Sequence, residues 1–453
     1  MMPLPTAFCD RMQALLGEEY PAFLDSLGAA RSLGLRVNPL RCAPADFAAR
    51  GLFPLTPVPW CAEGFYYPAS ARPGKHALYE AGVYYIQEPS AMAVGAVADA
   101  KPGEWVLDLC AAPGGKTTHL AGRMQGQGIL VANEIHPARA KILAQSVERA
   151  GICNAAVTNE TPARLAARFP DAFDCVVVDA PCSGEGMFRK DEDAAGEWDE
   201  GSPALCAARQ DEVLDEAVKM VRPGGRLAYS TCTFSPEENE GTLTRLLARH
   251  PDFTIAAVDG YPWFAPGRPD WWSGAGQTVA HAFRLWPHRL AGEGHFCALL
   301  FRAGDGKRRE PQPMKPLAKL PPEFARFMED ALQTAPKADV LRAGDRLWAV
   351  PEQMPSLDGL RVLRTGLELG TLKKRRFEPA HAFALALKPD AARRTADFPA
   401  DSGEIVRYLR GETLPVDGAN GWTLVCADGF ALGWGKAVNG TLKNHYPKGL
   451  RWK

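Results

Sequence analysis

WVLDLCAAPGGKTTHLAGRM (105–124) runs from an apolar stretch into an acid, then through Ala-Ala-Pro-Gly-Gly into an amphipathic segment. A strand, a glycine turn and a helix start follow one another in that order. Outward from it, strand-length apolar runs recur at 128–134, 155–159, 173–180, 225–232 and 295–302. Helical stretches at 116–123, 137–150, 203–220 and 236–249 separate them. Strands alternating with helices predict a doubly wound, Rossmann-like α/β domain. In such a sheet, ligands gather at the carboxyl ends of the strands, so the residues that close each run are the candidate site.

The loop itself narrows the ligand. Gly114-Gly115 lack the GxGxxG spacing, and no GxxxxGK[ST] is present, so neither common pyrophosphate loop is built here. Ala111, Ala112, Pro113, Gly114 and Gly115 still let backbone N–H groups and a helix N-terminus approach a ligand closely. Asp108 closes the first strand; Glu134, twenty-six residues on, closes the second, where an acid accepts hydrogen bonds from ribose hydroxyls. Together these favour an adenosyl ligand without a pyrophosphate, and S-adenosylmethionine is the candidate, its positive charge met by the acidic strand end. The plainer alternatives are a turn role for Asp108 and a solvated helix-start role for Lys116.

Two thiols carry the chemistry. Cys182 lies in DAPCSG (179–184) and Cys232 in YSTCT (229–233), at the mouths of two expected parallel strands. Carbon-5 of a pyrimidine is not nucleophilic at rest. Its methylation needs a thiolate to add at C6, an acid to steady the ring at N3, and a base to take the C5 proton. A thiolate suits the first role, being soft and easily expelled. Asp179 and Cys232 supply acid and nucleophile, although Cys182 could also reach the base. Two buried structural thiols are the bland reading. An exocyclic-amine methyltransferase would show an acid or amide, prolines and an aromatic here, and need no thiol.

The totals set bounds. A chain of 453 residues predicts two to four domains. No apolar run approaches a membrane span and no basic-then-apolar leader is seen, so a cytoplasmic protein is expected. Eleven cysteines without a CxxC argue against a disulfide framework or zinc ribbon, and no metal site is expected. Cys61 reads as buried filler, His119 and His295 as structural. Net charge is −1, yet residues 1–300 carry 26 basic against 35 acidic groups and residues 301–453 carry 26 against 18. A polyanion would feel its long-range attraction from the last third. Expected domains are a small N-terminal module (1–78), the α/β domain (79–303), a linker near 304–316, an α+β unit (317–390) bearing Lys373-Lys374-Arg375-Arg376, and a β-rich barrel-type unit (395–453).

DLCAAPGGKTTHLA (108–121), DAPCSGEGMFRK (179–190) and YSTCTFSPEENE (229–240), preceded by YIQEPSAM (85–92), resemble in order the signature blocks of the Nop/Sun family of RNA cytosine-5 methyltransferases. GWGK (433–436) and LKNHYPKGLR (442–451) are similar to its bacterial RsmF branch, whose carboxyl end carries a PUA-like RNA-binding domain. The resemblance implies Cys232 as nucleophile, Cys182 as the thiol that assists release, and Asp179 as the acid on the cytosine. It implies Cys110 to Lys116 and Glu134 as cofactor contacts, with Lys116 and Asp179 serving both substrate and cofactor. Glu160 stands where many relatives have an aspartate near the adenine, and His295 where several have an aromatic. The implied partner is small-subunit ribosomal RNA, bound by a monomer without an obligate protein partner. A DNA cytosine-5 methyltransferase using Cys182, and a non-catalytic ribosome-assembly factor, stay open as alternatives.

Overall fold

The computed structural model describes residues 4–190, 192–334 and 338–453. Its central sheet has five parallel strands, β1 (Trp105–Asp108), β2 (Ile129–Asn133), β3 (Ala155–Thr158), β4 (Phe173–Asp179) and β5 (Val221–Thr231). Antiparallel β6 (Phe283–Leu285), β7 (His295–Arg302) and β8 (Val362–Thr365) extend it at its edges. Spatial order is β6-β7-β5-β4-β1-β2-β3-β8. The chain leaves β1 towards β2 and β3, then returns to the other side at β4, so the switch point lies between β1 and β4. Buried runs such as WVLD and CVVV fill these strands because helices cover both faces.

Four helices position the site: α1 (Pro89–Ala98), α2 (Gly115–Met124), α3 (Pro137–Arg149) and α4 (Ser202–Met220). Glu88 caps α1 through the N–H groups of Ser90 and Ala91. Proline opens α1 and α3, where its missing N–H costs nothing. Gly114 precedes α2 at φ +114°, and a Cβ there would meet Ser146 of α3 at 2.7 Å. Only glycine fits that turn.

Several expected boundaries move. The helix expected from 236 begins at Glu240 (α5, Glu240–Arg249). The preceding Asn239 is spent on the β5 loop, accepting from Thr231 Oγ1 at 2.6 Å and donating to the Thr233 carbonyl at 3.0 Å. The strand expected from 225 starts at Val221, and Pro-Gly-Gly lies inside it as an irregularity in the pairing with β4. The N-terminal module does not end at 78, because Tyr84–Ile86 is hydrogen-bonded to Gly34–Val37 in the same four-stranded sheet. Nor is 317–390 separate from the α/β domain. Its hairpin sheet, Asp339–Ala343 to Arg376–Pro379, is its own, but β8 pairs with β3. The 304–316 segment is pinned, with Arg308 over the Trp105 ring at 4.7 Å and donating to Asp174 at 2.7 Å. The C-terminal unit is a five-stranded sheet with one helix, Gly403–Arg410.

A buried ion pair braces the rim of the site. Arg284 on β6 forks onto Glu240 at 2.7 and 2.5 Å, and its guanidinium stacks near Trp271 and Trp286. Arg284→Ala would strand the Glu240 carboxylate in the interior. We expect a loss of about 3–5 kcal/mol in urea unfolding; an unchanged midpoint would mean that water replaces the arginine.

Candidate active site

Asp108, Asp179 and Thr231 end β1, β4 and β5 side by side, which brings the acid loop and both thiol loops to one edge. Cys182 and Cys232 stand with their sulfurs 3.3 Å apart, both as free thiols. Cys182 is pushed well above the usual thiol range, first by its hydrogen bond with Cys232 and then by burial. Cys182 therefore holds its proton at neutral pH, within hydrogen-bond reach of the Cys232 sulfur.

Beside the thiols, Lys116 Nζ donates to Asp179 Oδ2 at 2.7 Å, and Ser230 Oγ donates to Oδ1 at 2.8 Å. Burial would raise the Asp179 carboxyl, but the Lys116 ammonium outweighs it and holds Asp179 below the ordinary range. Burial would likewise lower Lys116, and Asp179 reverses that. Ionised Asp179 only accepts hydrogen bonds. Lys116 is thus an inward-facing partner of Asp179, not a surface lysine. His295 packs against the same carboxylate, Nε2 at 3.9 Å from Oδ1, with Nδ1 on the Gly294 carbonyl at 2.9 Å. Burial, aided by Lys116, pushes it down to about 4, so it faces the site as a neutral ring.

Asp108 is fully buried; Oδ2 accepts from Thr117 Oγ1 at 2.6 Å, while Oδ1 has no partner. Burial raises its carboxyl to about 7. An unpartnered carboxylate oxygen at the mouth of β1, beside the Gly114 cradle, suits a cationic ligand. Cys110 is part of the same turn, its thiol raised by burial. Ala111 N–H is tied to the Asn133 carbonyl at 2.8 Å, the Ala112 carbonyl to Arg139 at 2.8 Å, and the Pro113 carbonyl to Ser146 at 2.7 Å, which fixes the loop against α3. Glu134 follows β2, Oε1 accepting from His136 N–H at 2.9 Å and Oε2 lying 3.6 Å from Arg139. Glu160 is not brought to this edge with a free carboxylate: Oε1 takes the Arg361 N–H at 2.7 Å and Oε2 pairs with Arg164 at 2.9 Å.

Residues that sequence reasoning passed over support the thiol loops. Glu238 accepts from Ser183 N–H at 2.9 Å, from Ser183 Oγ, and from Gln210 Nε2 at 3.0 Å, and Gln210 also donates to the Pro181 carbonyl at 3.1 Å. Burial raises Glu238 to about 7. Gly186 N–H closes on the Cys232 carbonyl at 2.8 Å, which couples the two loops directly. The acids in SPEENE were the available signal, but nothing local says that Glu238 points inward.

Fold and site together put the chain among the Rossmann-like, S-adenosylmethionine-dependent methyltransferases. Family models resolve that class further: residues 96–301 match 16S rRNA methyltransferase RsmB/F, and residues 4–89 the N-terminal domain of 16S rRNA methyltransferase RsmF. Residues 326–387 match the first C-terminal domain of RsmF, and 395–452 its PUA domain. Relatives named ribosomal RNA small subunit methyltransferase F, from Erwinia tasmaniensis (33% identical) and Klebsiella pneumoniae (35%), each align over 98% of this chain and 96% of their own length. The chain belongs to the RsmF family. Among solved structures, a methyltransferase homologue from Pyrococcus horikoshii is 28% identical with TM-score 0.57, covering 66% of this chain and 95% of its own. NSun6 from the same organism, solved with SFG, shares the fold at 20% identity, TM-score 0.56, over 66% of this chain and 99% of its own.

Proposed function

We propose that this protein transfers a methyl group from S-adenosylmethionine to carbon-5 of cytosine in 16S ribosomal RNA through a Cys232–C6 adduct. The observation that carries it is the Cys182–Cys232 pair at 3.3 Å beside an Asp179 held ionised by Lys116. When bound, the cofactor supplies an electrophilic methyl on a sulfonium, and the unpartnered Asp108 oxygen with the Ala111–Gly115 turn would hold it.

The Cys232 thiolate adds to C6; the S–C6 bond forms as the C5=C6 electron pair moves to C5, which then takes the methyl. Ionised Asp179 accepts from the 4-amino group of the ring and orients the base, and the Lys116 ammonium beside it offsets the negative charge that develops on the ring as Cys232 adds. Solvent water takes the C5 proton, its electron pair re-forms C5=C6, and the S–C6 bond breaks to return the Cys232 thiolate. Cys182 stands within reach of that adduct and assists its breakdown. A stacked cytosine shields C6, so the base has to be splayed out of its stack to reach these groups. Incubation with labelled S-adenosylmethionine and 16S rRNA, followed by nucleoside analysis, should put the label in 5-methylcytidine. Label only in DNA, or in an N4-methylated product, would overturn the assignment.

Two further results follow. A cation bound at Asp108 needs that carboxyl ionised, and its folded value lies near 7. Below that pH, binding must first expel a proton. S-adenosylmethionine affinity, measured by calorimetry, should therefore strengthen about tenfold between pH 6 and pH 7.5. Asp108→Asn should bind weakly with a flat profile, and a flat wild-type profile would remove Asp108 from the cation site. Lys373, Lys374, Arg375 and Arg376 form the exposed tip of a hairpin in the basic last third. Neutralising all four should weaken RNA binding and flatten its salt dependence by about 0.7 in slope per lost phosphate contact. An unchanged slope would place the phosphates elsewhere. No helix of the described residues is long and apolar enough to cross a membrane. We take the working form to be a cytoplasmic monomer; sedimentation of a stable dimer would contradict this.

A further inference from the structure

One turn along α2 from Lys116, a tight turn in the N-terminal module meets the middle of the helix. Its bonds run from Cys61 N–H to the Val58 carbonyl (3.1 Å) and from Gly64 N–H to the Cys61 carbonyl (2.9 Å), and it presents Cys61 and Glu63 on one side. His119 projects at them from the helix. All three residues are buried. Cys61 Sγ is 3.5 Å from Glu63 Oε2 and 3.8 Å from His119 Nε2, and His119 Nε2 is 3.6 Å from Glu63 Oε2.

Three polar atoms have been gathered, yet the imidazole–carboxylate pair lies beyond hydrogen-bond length. A tetrahedral ion bound at about 2.0–2.3 Å by sulfur, nitrogen and oxygen would space its ligand atoms about 3.4–3.6 Å apart. The observed separations lie within a few tenths of an ångström of that spacing. Gly95 of α1 backs the ring, since a Cβ there would strike His119 Nδ1 at 2.2 Å. The imidazole is therefore held where it stands. Arg123 approaches the other Glu63 oxygen at 3.7 Å and is itself bonded to Asp99, so the glutamate is aimed from both sides.

We propose that Cys61, Glu63 and His119 form a structural site for a divalent zinc-type cation that clips the N-terminal module to α2. Glu63 retains 12% of its side-chain exposure, which gives an ion its entry and leaves room for a solvent ligand in the fourth position. The ion would be neutralised by one thiolate and one carboxylate, the donor set that selects zinc over magnesium or calcium. Because α2 begins at the cofactor turn, and Arg36 of the same module already grips the Gly115 carbonyl and Thr118, the clip would hold that turn in place.

The test uses full-length protein in a Cys182→Ala, Cys232→Ala background, so that the reacting thiols bind no metal. After chelation and incubation with zinc or cobalt(II), we expect one equivalent by elemental analysis, with a thiolate-to-cobalt absorption band. Cys61→Ser should abolish the band, and His119→Gln should lower the metal content at least tenfold, with folding checked by circular dichroism. The thermal midpoint should fall on chelation in the parent and not in the variants. No metal uptake by the folded parent, or equal uptake by folded variants, would overturn the proposal and leave a Cys61 thiol resting on Glu63.

Discussion

Cys232→Ala should lower methyl transfer to ribosomal RNA by on the order of 10⁴-fold or more, the scale on which losing a nucleophile lowers kcat, while S-adenosylmethionine binding stays intact. The reasoning is chemical before it is structural. Without addition at C6 there is no electron pair at C5 for the methyl to meet, and no neighbouring group substitutes for the sulfur. Cys182, 3.3 Å away, does not inherit the role: its hydrogen bond with Cys232 is lost in this variant, but burial still pushes its thiol up and disfavours the thiolate that addition needs. The residues proposed to hold the cofactor stand at the ends of β1 and β2 and in the turn after β1, on other strands than the altered side chain, which is why binding should survive. Residual activity within tenfold of wild type would transfer the nucleophile's role to Cys182.

Cys182→Ala should behave differently. Addition and methyl transfer need Cys232, so the first turnover should proceed, and the enzyme should then stall on its product. Steady-state turnover should fall by about 10²–10⁴-fold, the usual worth of a positioned proton-transfer group, and a denaturation-resistant protein–RNA complex should accumulate. Such a complex would be visible as a slow band on a denaturing gel, and absent from a Cys182→Ala, Cys232→Ala double variant. A Cys182→Ala enzyme that turned over freely would confine Cys182 to packing.

The parts of this site that sequence revealed are those whose chemistry is written in contiguous residues. A strand, an acid and a glycine turn declare themselves over 105–116, and a cysteine directly after an apolar run can be read as a reactive group at a strand mouth. Lys116 was ambiguous in the string because a helix-start lysine is normally solvated; only the β1–β4 neighbourhood turns it onto Asp179. Glu160 went the other way. Its place after β3 suggested a ligand contact, but β8 arrives from two hundred residues downstream and the N–H of Arg361, just ahead of it, binds the carboxylate. The same strand ties the 317–390 unit into the central sheet, a pairing that no local pattern encodes. Glu238, Gln210 and Ser183 were illegible for the same reason, since their network joins three segments of the chain. Cys61 and His119 each looked inert alone, and only the packing of the N-terminal turn on α2 makes a donor set of them.

Most direct is a trapping experiment on the wild-type protein with RNA carrying 5-fluorocytidine at its target. Fluorine cannot leave C5 as the proton does, so the adduct, once methylated, cannot break down. Digestion and mass spectrometry should then find the modified nucleotide on the peptide that contains Cys232. The nucleotide on the Cys182 peptide, or no adduct while ordinary RNA is still methylated, would contradict the account.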